Sequence, residues 1–92
     1  MPKYEVDIPH TLSPADVKTR LGGATAKIES NYGAACSWKS ERELSVSRKG
    51  FEALVTIEDS KVHVAMNLGL MLVPLAGAIK AGLTKELSSL LG

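Results

Sequence analysis

Apolar and polar residues alternate along most of this chain, and the period of the alternation changes along it. Tyr4, Val6 and Ile8 are interleaved with Lys3, Glu5 and Asp7, the period of two expected of a strand with one buried face, and Pro9 closes the run. Over residues 14–32 the spacing becomes helical, with Val17, Leu21, Ala24, Ile28 and Tyr32 on one stripe. Ser13 is placed to cap this helix, Pro14 suits its first position, Asp16 its first turn, and Gly33 its stop. Gly22 and Gly23 lie off the stripe, where they mark either a bend or a close crossing with a second helix.

Period two returns over residues 36–48. Cys36, Trp38, Leu44 and Val46 share one parity, and Ser37, Lys39, Glu43, Ser45 and Ser47 the other. Arg42 falls on the apolar parity, which predicts a bend or bulge near Ser40 and Glu41. Lys49-Gly50 reads as a turn. Phe51, Ala53, Val55 and Ile57 then alternate with Glu52, Leu54, Thr56 and Glu58. After a turn at residues 58–61, Val62, Val64, Met66 and Leu68 alternate with His63, Ala65 and Asn67. Links this short join antiparallel strands. The pattern predicts β-α-β-β-β-α over residues 1–92: a single two-layer α+β domain, an antiparallel sheet with two helices packed on one face and water on the other.

The C-terminal third carries an excess of apolar residues. Residues 68–73 contain no polar side chain, and Pro74 suits the first position of a helix. Leu75, Ile79, Leu83, Leu87 and Leu90 follow at helical spacing, widened by Ala76 and Leu91. The other face of that helix begins with Gly77, Ala78, Ala81 and Gly82, small residues spaced so that another backbone can come close. Together with Leu70, Met71, Leu72 and Val73 they form the candidate interaction surface. The uncharged run over residues 68–79 is about 12 residues, short of the roughly 20 that cross a membrane, so no transmembrane span is expected.

Composition narrows the function further. At 92 residues the chain holds one domain. A net charge of +1 with 4% aromatic residues offers neither the basic field nor the stacking platforms of a nucleic-acid binder. Cys36 is the only cysteine, which excludes an intrachain disulfide and suits a reducing compartment. The opening residues MPKYEVDIPH are too polar for a secretory signal, and a cytoplasmic location is expected.

No constellation of catalytic residues emerges. Cys36 with His10 or His63 lacks the spacing and the orienting third group of a nucleophilic site, and His63 has the solvent-face parity of its strand. Glu41, Glu43, Glu52, Glu58 and Asp59 read as solvated carboxylates rather than an acid–base pair. Lys39, Arg42, Arg48 and Lys49 are diluted by Glu41 and Glu43, and no phosphate-binding glycine loop is present. The expectation is a protein that is not an enzyme, with no catalytic residue, cofactor or metal.

The residues Val62, Val64, Leu68-Gly69-Leu70 and Leu72-Val73-Pro74-Leu75-Ala76-Gly77-Ala78-Ile79, followed by Leu83 and Leu87, resemble the small polyhydroxyalkanoic acid system proteins of bacteria. The helix after Ser13-Pro14, Trp38 ahead of a hairpin and the strand over residues 50–57 match the plan of that family. The resemblance is most specific over residues 62–83, and Gly22-Gly23 departs from the uninterrupted first helix expected of the family. It implies a role in polyester storage, with the granule surface or granule proteins as partners, and carries over no catalytic residue. Two alternatives stand beside it. One is a reduced helix-grip module binding an acyl chain between sheet and helix. The other is a self-associating domain, a homo-dimer with seams at Gly77/Ala81 and Leu54/Ala65.

Overall fold

The computed structural model describes residues 3–92. Helix α1 (Pro14–Tyr32) begins and ends where its capping chemistry places it. Ser13 Oγ accepts the Asp16 N–H at 3.2 Å, and Gly33, at φ 64°, donates its own N–H to the Glu29 carbonyl. That left-handed conformation at the C-terminus is one that glycine adopts without a Cβ clash.

The strands are β1 (Lys3–Pro9), β2 (Ala35–Ser40), β3 (Glu43–Arg48), β4 (Phe51–Ile57) and β5 (Lys61–Leu68). They form one antiparallel sheet in the order β1-β5-β4-β3-β2. The element order is therefore β-α-β-β-β-β-α, with one strand more than the alternation predicts. Residues 36–48 are a hairpin, not one bent strand. Cys36 faces Val46 and Trp38 faces Leu44, so residues of the same parity oppose each other and the apolar alternation runs through the reversal unbroken. The predicted irregularity near Ser40 and Glu41 is present as a register shift between Trp38 and Ser40, and the chain turns immediately after it, at Glu41-Arg42. Arg42 breaks the pattern because it sits in that turn. Its guanidinium reaches Asp59 at 3.1 Å and its carbonyl accepts the Ile57 N–H at 2.7 Å.

Both helices cover one face of the sheet. Helix α2 (Ala76–Leu91) packs on β1, and α1 packs on β2, β4 and α2. Between them and the sheet lie Ile8, Val17, Leu21, Leu44, Ile57, Val62, Val64 and Met66, each at most 1% exposed. Each such side chain stabilises the fold by roughly 1.5–3 kcal/mol. His10, 8% exposed, ties the β1–α1 connection to the β4–β5 turn. Its Nδ1 accepts the Leu12 N–H at 3.2 Å while Nε2 donates to the Glu58 carbonyl at 2.9 Å, a pattern that places the ring proton on Nε2.

Two expected core positions lie outside it. Pro74 opens a 3₁₀ turn, Val73–Leu75, before α2 starts. The tighter turn rotates Leu75 outward, to 52% exposure, and brings Ala76 inward, to 7%. Tyr32, at the last residue of α1, is 53% exposed.

Gly22 and Gly23 interrupt nothing. The helix is continuous through them, and a Cβ built on either would meet no atom within 4 Å. They neither admit a crossing nor mark a break, and their cost is conformational freedom in the unfolded chain. Gly22→Ala and Gly23→Ala should each stabilise the protein by about 0.5–1 kcal/mol, raising the Tm by several degrees in calorimetry. A lowered Tm would show that these glycines meet a contact made only in an assembly.

Candidate functional site

The candidate surface is built at the end of the molecule where β5 runs out. Leu68 pairs with Phe51. Just beyond, the Gly69 N–H donates to the Gly50 carbonyl at 2.8 Å, and a Cβ on Gly69 would lie 3.4 Å from the Gly50 backbone. The residue that does require glycine is Gly50, whose φ of 81° lies in the left-handed region. Two successive turns follow, Leu72 N–H to Gly69 O and Leu75 N–H to Leu72 O, both at 2.9 Å. Leu70 and Met71 occupy the corner of the first turn and point away from the body, 85% and 90% exposed. Leu72 and Val73 are half-buried, with Leu72 leaning over Gly50.

The surface continues onto α2. Gly77, Ala78, Ala81 and Gly82 are exposed, and a Cβ on Gly77 or Gly82 would meet no atom within 4 Å. Leu75, Ala78 and Gly82 follow one another on a helical face, so the small-residue strip joins the Leu70–Met71 corner through Leu75. Tyr32 belongs to the same end, because Arg48 at the close of β3 donates to the Tyr32 carbonyl at 2.8 Å. The exposed large hydrophobic residues among the described ones, Tyr32, Leu70, Met71 and Leu75, are thus gathered at one end of the fold.

A protein-family model described as "Putative polyhydroxyalkanoic acid system protein" matches residues 5–91 of the 92. The chain belongs to this family. No curated protein and no solved structure matches it. The match to the polyhydroxyalkanoic acid system family runs from within β1 to the last residue of α2, so the apolar corner and the core beneath it both lie inside the family's shared region. No helix among the described residues is long and apolar enough to cross a membrane.

The chemistry-bearing residues weighed from sequence are dispersed. Cys36 is half-buried on β2, and its backbone N–H donates to Glu29 Oε2 at 3.3 Å. Burial, and then the charge of Glu29, push its thiol pKa above the ordinary value, which disfavours the reactive thiolate. His10 lies at the opposite end of the fold, and His63 on the open face of the sheet. Glu43 faces Thr56 and Glu52 faces Ser47, so the two do not oppose each other. Leu54 and Ala65 are directly opposed on β4 and β5 and floor a shallow hollow of about 410 Å³ on that open face, with Ser45, Ser47, Lys3 and Lys39 around them.

One cluster escaped the sequence reading. Asp7 and His63 face each other across β1 and β5. His63 Nδ1 bonds Asp7 Oδ1 at 2.5 Å, Lys61 Nζ lies 3.6 Å from Asp7 Oδ2, and Glu5 lies 3.5 Å from His63 Nε2. Ligand atoms of Asp7, His63 and Glu58 all lie within 4.8 Å of one another. The charge pairing accounts for the arrangement. Solvent-face parity was readable for both Asp7 and His63, but the register of β1 on β5 was not.

The pair gives a pH signature. The hydrogen bond to Asp7 raises the His63 pKa above 6.5 against the opposing effect of burial, and the same bond holds Asp7 below 3.8. The stabilisation from His63 is therefore complete below its unfolded pKa and lost as pH rises through its raised folded value. That from Asp7 is present above its unfolded pKa and lost as pH falls through its lowered folded value. Urea midpoints should decline as pH rises above about 6.5 and through the raised His63 value, and His63→Gln should flatten that decline. An unaltered slope in the variant would assign it to another group.

Proposed function

We propose that this protein serves polyester storage as a non-enzymatic accessory, adsorbing to the polyhydroxyalkanoate granule or to a granule protein through Leu70, Met71 and the small-residue face of α2. The observation that carries this reading is the pair Leu70 and Met71, held at the corner of a hydrogen-bonded turn and almost wholly exposed. Large apolar side chains are rarely presented so fully and so close together on a rigid backbone unless something covers them. Family membership supplies the class of surface. The raised thiol pKa of Cys36 makes it a poor nucleophile, which favours a role by contact.

Leu70→Asp combined with Met71→Asp should abolish co-sedimentation with isolated granules. The melting temperature should be preserved, because neither side chain supports the core. Covering both contributes about 3–6 kcal/mol, so the apparent affinity should fall by at least about a hundredfold. Recovery of wild type and variant alike in the soluble fraction, or equal recovery of both with granules, would defeat the proposal.

A further inference from the structure

We infer that the end of the molecule bearing Leu70 and Met71 docks end-on into a fluid interface of anionic phospholipid, its apolar turn entering the acyl boundary and its cationic side chains meeting the headgroups. This rests on the reading of that end as the adsorbing surface, and adds to it the chemistry of the layer it meets.

The argument is the distribution of charge about the apolar corner. The β3–β4 turn, pinned to Gly69 by the Gly50 carbonyl, brings Arg48 and Lys49 beside Leu70 and Met71. Lys80 is exposed one turn into α2, the helix that follows the corner. Among the described residues none of these three cations enters an ion pair. The Arg48 guanidinium bonds a carbonyl, at Tyr32, which leaves its charge uncompensated. At the opposite end the pattern reverses. The β2–β3 and β4–β5 turns carry Glu41, Glu58 and Asp59, with Lys18 paired to Glu41 at 2.9 Å and Arg42 to Asp59 at 3.1 Å. The segments that build the corner, residues 48–50 and 69–80, thus carry three cations, Arg48, Lys49 and Lys80, and no carboxylate. Apolar side chains of this size enter roughly 5–10 Å into a headgroup boundary, and nearby lysines are drawn to anionic lipid within a Debye length. A bare polymer or a neutral protein face would use the leucine and methionine but would gain nothing from the cations.

The test is sedimentation with sucrose-loaded vesicles of phosphatidylglycerol and phosphatidylcholine in equal parts, against vesicles of phosphatidylcholine alone. The mixed vesicles should bind the protein at least about tenfold more tightly, and the difference should shrink as salt rises from about 0.05 to about 0.5 M. Lys49→Glu combined with Lys80→Glu should lose that advantage while still adsorbing to lipid-free polyester particles. Leu70→Asp with Met71→Asp should lose both activities. Equal binding to the two vesicle types, or an unchanged advantage in the lysine variant, would overturn the inference. Adsorption to lipid-free polyester without vesicle binding would overturn it and leave the accessory reading standing. Vesicle binding without granule co-sedimentation would do the reverse. A concentration-dependent dimer in light scattering that Leu70→Asp with Met71→Asp makes monomeric would assign the corner to a second copy and overturn the lipid reading.

Discussion

The pairing of β1 with β5 joins the first strand to the last, and its Asp7–His63 bond spans 56 positions of sequence. On the covered face it sets Val6 against Val64 and Ile8 against Val62. It also lays the floor on which α2 packs. Without β1, wholly buried β5 side chains such as Val62, Val64 and Met66 would stand at an open sheet edge and Leu87 and Leu91 would have little to pack on. A contact between positions so distant closes a long loop, whose entropic cost is recovered only when the apolar face is covered. The helices and this one strand pairing therefore stand or fall together.

Two helices suffice to cover one face of five strands, and the other face is lettered accordingly. Ser45, Ser47 and Thr56 occupy its middle, with Ser37 on the β2 edge and Asp7, His63 and Lys61 paired towards the other. This economy makes the apolar corner conspicuous. Helix α2 is held down by Ala76, Leu87 and Leu91 with help from Ile79, Leu83 and Leu90, so the core does not draw on Leu70 or Met71. Their exposure is no by-product of a sheet too large for its helices.

Much of this architecture was legible in the chain, and the failures have physical causes. Ser13, Pro14 and Gly33 announced both ends of α1 because capping is a local interaction. Strand faces were legible because parity is local too. The β2–β3 reversal was hidden because Trp38 opposes Leu44 and Cys36 opposes Val46, so the turn preserved the alternation that would otherwise have betrayed it. Leu75 was misplaced because a proline that can start an α-helix started a 3₁₀ turn instead. The Asp7–His63 pair and the gathering of Tyr32 with Leu70 depend on which strands and turns become neighbours, and no periodicity encodes that. The candidate surface itself could be nominated from composition, but its shape could not.

That shape is carried by main-chain atoms. The approach of Gly69 to Gly50 and the two turns after it form a bracket whose geometry does not draw on the side chains mounted at positions 70 and 71. Those two fittings can be exchanged for larger, smaller or more polar ones at little expense to folding. The character of that corner is thereby adjustable over evolutionary time separately from the rest of the molecule, whereas a side chain at Gly50, where φ is 81°, would strain the mounting itself.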